Sequence, residues 1–258
     1  MKSQIALVTG GTAGIGKAIA ARIASQGIKV IITGRDVAKG EKTKKYLDEN
    51  FGEVIFIPSD VSKTVDAENL FSQIYSDYGR LDYACNNAGT DRMEFGAFTH
   101  RISEADFDTQ INTNLKGVWS CMKHELKIML EQSNGSIVNI SSVNGLGGTI
   151  GAAAYSAAKH GVNALTKSAA LEYSKNGIRI NVVCPGMIDT PMLNRVMNNI
   201  NQDDIEPVKH HFESIIPAGR VGSPKEVADA VWWLCSDKSS YVNGNTLVID
   251  GGMTSQFR

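Results

Sequence analysis

The sequence predicts an α/β protein built on a doubly wound, mainly parallel sheet of seven strands with helices on both faces. Three observations lead there. Short apolar runs alternate with longer amphipathic stretches along the whole chain, the pattern of repeated strand–helix–strand units. The first run, Ile5-Ala6-Leu7-Val8, is wholly apolar, as a strand buried on both faces must be. It leads straight into a glycine-rich turn and a helix, an order that presents free backbone N–H groups to an anion.

The elements follow in order. After the first strand come Thr9-Gly10-Gly11-Thr12-Ala13-Gly14-Ile15-Gly16 and a helix with Ile15, Ile19 and Ile23 on one face. The glycines let a phosphate approach the backbone. Val30-Ile31-Ile32 is the second strand. Its end carries Gly34-Arg35 where a carboxylate would bind the ribose hydroxyls of NAD; the planar fork of Arg35 either pairs with a 2′-phosphate, stacks on adenine or lies on the surface, with Asp36 beside it complicating the local charge. Residues Val37 to Asn50 read as a Lys-rich surface helix. The third strand, Val54–Ile57, ends at Pro58-Ser59-Asp60-Val61, where Asp60 either accepts from an adenine amino group or caps the next helix, 66–78. The fourth, Leu81 to Cys85, runs into Asn86-Asn87-Ala88-Gly89, a turn able to admit a cofactor and tie strands together.

Ser103 and Asp106 mark a helix start, and Phe107, Ile111, Leu115 and Val118 then form a stripe expected in the core. Asn114 lies in that stripe, either satisfied there or distorting the helix. Gly135–Ile140 is the fifth strand, with Ser141-Ser142 at its carboxyl end, and a helix runs from about Tyr155 to Lys175. Ser142 either donates to a substrate carbonyl or caps a turn. Arg179–Val183 is the sixth strand, ending Cys184-Pro185-Gly186. From about 188 to 217 the rhythm breaks, as expected of a substrate lid. Met187, Met192, Leu193 and Met197 there suggest a partly apolar substrate, with Asn144, Thr149 and the loop Thr90–His100 adding polar contacts. Ser223-Pro224-Lys225-Glu226 is a capping-box helix start. The adjacent Trp232 and Trp233 cannot both face inward, which hints at a subunit contact. Thr246–Ile249 is the seventh strand. With no repeat, low-complexity tract or linker, one domain over 1–258 is expected.

Composition narrows the function. Hydrophobic residues are 42% and charged residues 21%, ordinary for a globular protein. Lys plus Arg number 26 against 27 Asp plus Glu, with no basic stripe, so neither nucleic acid nor an anionic membrane is an expected partner. The scattered Cys85, Cys121, Cys184 and Cys235 read as reduced and structural. His210 and His211 lack a carboxylate or cysteine at ligand spacing, so no metal is expected. The amino end leaves no room for a signal peptide and no apolar run approaches bilayer length, which makes the cytoplasm the expected location.

The chemistry concentrates between Ser142 and Lys159. Tyr155 and Lys159, four apart on a helix, share a face. A phenol acts as base near neutrality only if its pKa falls by an amount equivalent to roughly 4 kcal/mol. One ammonium about 4 Å away supplies a similar sum, but desolvation opposes it, so a second positive charge or a hydrogen bond is needed too. An oxidised nicotinamide carries such a charge.

Taken together, Thr9-Gly10…Gly14…Gly16, Asn86-Asn87-Ala88-Gly89, Asn114, Ser142, Tyr155, Lys159 and Pro185-Gly186 resemble the short-chain dehydrogenase/reductase family over nearly the whole chain. Ser142 stands thirteen before Tyr155, as the family pattern wants. The resemblance implies a single-domain Rossmann-like enzyme, commonly a homotetramer, that moves a hydride between nicotinamide and a ketone or secondary alcohol. It implies that Tyr155 is the general acid/base, that Lys159 lowers its pKa and holds the nicotinamide ribose, and that Ser142 binds the reacting oxygen. Asn114 would hold a helix distortion and a water leading from Lys159. Cofactor contacts are implied at Gly10, Thr12, Ala13, Gly14, Ile15, Gly16, Arg35, Asp60, Val61, Asn87, Ala88, Gly89, Tyr155, Lys159, Pro185, Gly186, Ile188 and Thr190. Members that use NADP often carry a basic residue where this chain has Ala13, which leaves Arg35 as the main phosphate partner. NADP(H) is favoured and NAD(H) stays open. Two other readings are a silent dinucleotide sensor or scaffold on the same fold, and an enzyme that uses the cofactor only transiently, as in dehydration or epimerisation.

Overall fold

The computed structural model describes residues 3–91 and 96–256. Seven parallel strands form one sheet in the order β3-β2-β1-β4-β5-β6-β7. They are β1 Ile5–Thr9, β2 Lys29–Gly34, β3 Val54–Pro58, β4 Tyr83–Asn86, β5 Gly135–Ile140, β6 Ile178–Pro185 and β7 Thr246–Ile249. The helices are α1 Gly14–Ala24, α2 Val37–Asn50, α3 Thr64–Tyr78, α4 Glu104–Ile111, α5 Gly117–Gln132, α6 Ala153–Tyr173, α7 Pro191–Ile200, α8 Glu206–Ile215 and α9 Pro224–Cys235.

The apolar runs become strands because both faces of the sheet are covered. Alternate residues of each strand enter opposite cores. Ile5 and Leu7 join Leu70, Phe71, Val118, Met122 and Val162 beneath α3, α5 and α6. Ala6 and Val8 join Ile19, Ile23, Leu47, Val227 and Val231 beneath α1, α2 and α9. The edge strand β7 is only half-buried. The expected capping box is present, with Ser223 N donating to Glu226 Oε2 at 2.7 Å. Trp232 sits edge-on against Tyr83, and Trp233 is 39% exposed.

The sheet order reverses between β1 and β4. After β1 the chain builds outward through β2 and β3, then crosses to β4 and builds the other way. Ligand crevices of open α/β sheets lie at the carboxyl ends of strands at such a reversal. The register puts Thr9, Asn86 and Asn139 side by side there.

One expectation fails locally. Phe107 is 44% exposed rather than in the core. Asn112–Lys116 is one turn of π-helix between α4 and α5. The extra residue rotates the following turns by roughly 100°, so Phe107 and Val118 no longer share a face.

Candidate active site

The glycine turn is built by close approaches that leave no room for side chains. Gly10 has φ +65°, and a Cβ there would lie 2.8 Å from Ala88 Cα. At Gly16 it would lie 2.3 Å from Gly10 O and 2.4 Å from Asn87 Nδ2. Asn87 laces the turn to β4, donating through Nδ2 to Thr9 O at 3.1 Å and Gly10 O at 3.2 Å. Thr9 Oγ1 accepts from the backbone N–H of Asn87 and of Ala88, each at 3.1 Å. No side chain caps α1 and no acid lies in its first turn, so its N-terminal N–H groups face the crevice unneutralised. This donor set fits a dinucleotide pyrophosphate.

Asn114 is fully buried in the π-helical turn and does both things left open for it. Its Oδ1 accepts from Thr90 N at 2.8 Å, and its Nδ2 donates to Thr90 O at 3.0 Å and Gln110 Oε1 at 2.6 Å. Sequence reasoning missed both as partners of Asn114: Thr90 lies 24 positions away, whereas Gln110, four before Asn114, stands at a helical spacing that could have flagged it. Gly89 lies between Asn114 and Lys159, its would-be Cβ 3.1 Å from Asn114 Oδ1 and 3.9 Å from Lys159 Nζ.

Tyr155 and Lys159 lie on the same face of α6. Lys159 Nζ stands 5.6 Å from the Tyr155 ring centroid and donates to Ile140 O, at the end of β5, at 2.9 Å. Ser141 Oγ donates to Lys159 O at 3.0 Å, fixing the same turn of helix from below. Lys159 is buried, which brings its ammonium down to about 8. Ser142 Oγ accepts from Asn144 N at 3.1 Å, so it caps a turn. The nearby Ser142 hydroxyl also acts on the Tyr155 phenol, lowering its pKa. Burial outweighs this and, with the charge of Asp91, pushes Tyr155 up to about 12. The protein's own groups therefore keep the phenol protonated at neutral pH. These groups alone do not bring the phenol toward neutrality, because its desolvation exceeds the help of Ser142.

The other expected contact residues divide in two. Thr12, Ala13, Gly14, Ile15, Ala88, Gly186 and Thr190 lie on or beside the turn and strand ends, with Thr190 Cγ2 3.3 Å from a Cβ built on Gly14. Val61 and Ile188 are buried, with their side chains in the two cores. Asp60 neither caps α3 nor points away from its own loop, accepting from Ser62 N at 3.1 Å and Ser62 Oγ at 2.7 Å. Arg35 is exposed directly after β2. Asp36 next to it is engaged as the α2 cap, accepting from Lys39 N at 3.0 Å.

Over the carboxyl edge, α7 and α8 fill the stretch where the strand–helix rhythm breaks. Thr190 Oγ1 caps α7 by accepting from Leu193 N at 3.2 Å. Arg195 of α7 makes a forked ion pair with Asp91, just after β4, at 3.1 and 3.0 Å. The pair spans 104 positions and was invisible in the sequence. Met197 is buried, while Met192 and Leu193 are half-buried. Asn144 Oδ1 accepts from Thr149 Oγ1 at 3.0 Å. Of the loop Thr90–His100, residues 92–95 lie outside the described residues. His210 and His211 are exposed, and all four cysteines are buried free thiols. Among the described residues no helix is long and apolar enough to cross a membrane.

A family model described as enoyl-(acyl carrier protein) reductase matches residues 10–254. The chain belongs to the short-chain dehydrogenase/reductase family. Levodione reductase of Leifsonia aquatica is 36% identical over 98% of this chain and 95% of its own. The 3-oxoacyl-(acyl-carrier-protein) reductase of Thermotoga maritima is 37% identical over 98% of each. The crystal structure of levodione reductase superposes with a TM-score of 0.95 over 98% of each chain, at 36% identity. A variant of actinorhodin polyketide ketoreductase with NADPH gives 0.93 over 98% of each chain at 36% identity. ElxO with NADP bound gives 0.89 at 35% identity, over 99% of this chain and all of the other. This short-chain dehydrogenase/reductase is an NAD(P)-dependent oxidoreductase acting on CH–OH and carbonyl groups.

Proposed function

We propose that this enzyme is an NADP(H)-preferring carbonyl reductase and secondary-alcohol dehydrogenase in which Tyr155 transfers the proton. The observation that carries the reading is the convergence of Ser142, Tyr155, Lys159 and Asn114 on the carboxyl ends of β4 and β5, beside the glycine turn. Gly10, Thr12, Ala13, Gly14, Ile15, Gly16 and the uncapped start of α1 hold the pyrophosphate. Asn87, Ala88, Gly89, Pro185, Gly186 and Thr190 line the path toward the nicotinamide, with Asp60, Val61 and Ile188 offering backbone. When bound, NADP(H) supplies or accepts the hydride.

The chain's own residues do the rest. Ser142 donates to the substrate oxygen and fixes its position. Tyr155, protonated at neutral pH, gives its proton to that oxygen as negative charge develops there, so no free alkoxide forms. In the reverse direction Tyr155 takes the proton as its phenolate, a form that the positive charge of an oxidised nicotinamide together with Lys159 would favour. Lys159 places a positive charge beside the phenol and holds the ribose hydroxyls. Asn114, clamped on Thr90, keeps the helix opening that leads away from Lys159.

Several features support the finer parts of this reading. Arg35 follows β2 with no carboxylate at the strand end, and Asp36 is already committed to the α2 cap. Two of the similar structures hold NADPH or NADP. The chain acts as one domain over 1–258, with 188–217 as a lid held by Arg195 and Asp91. The half-buried Met192 and Leu193 favour a partly apolar substrate. Exposed Phe107, Trp119, Leu171 and Trp233 suit a homotetramer, in the cytoplasm. The deciding experiment is a panel of ketones and alcohols followed by nicotinamide absorbance with both cofactor pairs. Consumption of NADPH with an apolar ketone, faster than of NADH, is expected. Cofactor binding without turnover across the panel would overturn the reading in favour of a silent sensor.

A further inference from the structure

An open cavity of about 410 Å³ adjoins the glycine turn on its outer side. Thr12, Ala13 and Gly14 of the turn line it together with Lys17, Lys39 and Lys42, and no acidic residue does. We propose that Lys39 and Lys42, assisted by Lys17, are the cofactor-selecting residues that take the 2′-phosphate of NADP(H) and supply the charge absent at Ala13. The inference rests on the NADP(H) preference proposed above and goes beyond it by naming residues outside the family pattern.

The sequence alone gave these lysines the look of a solvated helix face. The packing of α2 turns that face toward the turn. Gly40 lies against β3 so closely that a Cβ there would be 2.2 Å from the Phe56 ring. Thr43 Oγ1 donates to Thr12 O at 3.0 Å, tying the second turn of α2 to the glycine turn. Lys39 and Lys42, three apart, thus project on the side that faces Thr12 and Ala13. Lys17, one turn into α1, extends across the cavity with its Nζ 3.9 Å from the centroid of Tyr46. Among the described residues, none of the three makes an ion pair. Three neighbouring ammonium groups around one cavity, unneutralised, repel each other at a cost that an anion would relieve.

The cavity also lies where a 2′-phosphate must go. The end of β2 abuts the turn, with Thr12 Cγ2 2.9 Å from a Cβ built on Gly34, so Arg35 follows directly after a residue packed on Thr12, which lines the cavity. Asp36, beside Arg35, is directed into the α2 cap through Lys39 N. Lys39 and Lys42 are exposed and Lys17 is half-buried, so their attraction for phosphate is screened by salt.

The test measures binding rather than turnover. Adenosine 2′,5′-bisphosphate and 5′-AMP are titrated by calorimetry into the wild type, into Lys39→Ala/Lys42→Ala and into Arg35→Ala, at low and high salt. The double variant is expected to bind the bisphosphate about tenfold more weakly, to bind AMP within about twofold of the wild type, and to lose part of the salt dependence. Preserved AMP binding reports an intact fold. A double variant that keeps the wild-type preference for the bisphosphate overturns this inference while leaving the NADP(H) reading in place. A wild type that binds both ligands equally overturns the NADP(H) reading itself. Equal weakening of both ligands in the double variant also counts against the inference, since the lysines would then serve the common part of the nucleotide.

Discussion

Glu125 offers a prediction whose size follows from its surroundings. It is fully buried on α5, and its Oε2 accepts from Asn86 Nδ2 at 3.0 Å. The same Nδ2 donates to Asn139 Oδ1 at 3.0 Å, and Asn139 Nδ2 donates to Thr166 Oγ1 at 2.9 Å. This polar column ties α5 to the ends of β4 and β5 and to α6, the helix that carries Tyr155. Burial pushes Glu125 up from the ordinary 4.5 to about 8, and the bond from Asn86 opposes it only in part. Between those values the folded protein holds a proton that the unfolded chain has lost. The unfolded state then binds fewer protons, so stability from this group falls as pH rises and levels off above about 8. Complete passage through the window corresponds to roughly 5 kcal/mol, an upper bound. Glu125→Gln keeps the shape of the protonated acid and removes the titration. Relative to wild type, the variant should gain roughly 3 kcal/mol between about pH 5.5 and about pH 8.5. Denaturant midpoints of both proteins at the two pH values, at equal protein concentration, measure this. A wild-type advantage that stays constant or grows toward alkaline pH would refute the reasoning, because it would mean that Glu125 is a stabilising carboxylate.

Three further predictions follow from the site. Gly16→Ala should weaken cofactor binding at least about 100-fold, since the new methyl collides with Gly10 O and Asn87 Nδ2 and unfastens the turn; calorimetry with NADPH checks it, and near-normal affinity would contradict the tight turn. Arg195→Ala should cost less than about 1 kcal/mol of stability, as the arginine side of the ion pair with Asp91 is well exposed, yet raise KM for the ketone several-fold with little change in cofactor affinity. Unchanged steady-state kinetics would remove the lid role. Carbonyl reduction requires protonated Tyr155 and charged Lys159, so kcat/KM should fall as pH rises through about 8, where Lys159 sheds its proton; a rate that climbs across that range would speak against a proton-donating site.

Much of the architecture was legible because burial on two sides leaves a plain mark. Ile5–Val8, Val30–Ile32 and Gly135–Ile140 could only be strands of a covered sheet, and the glycine turn follows the first of them directly. The pairing of Tyr155 with Lys159 was legible too, since helical spacing alone decides that they share a face. What escaped depends on contacts between distant segments. Asn114 could not be resolved in advance because its partner Thr90 lies 24 positions away. The exposure of Phe107 follows from a π-helical turn that period-based reading cannot anticipate. The size of the desolvation at Tyr155 was not legible, because a sequence displays neighbouring charges but not the depth of burial that opposes them. Lys39 and Lys42 read as ordinary solvated residues until Gly40 and Thr43 turned their helix toward the glycine turn.

The most direct test replaces Tyr155 by Phe and follows both NADPH affinity and ketone reduction. With the proton donor gone and the crevice otherwise intact, turnover should fall by at least about 1,000-fold while NADPH binds within about threefold of wild type. Reduction at near wild-type rate in that variant would show that the proton comes from elsewhere.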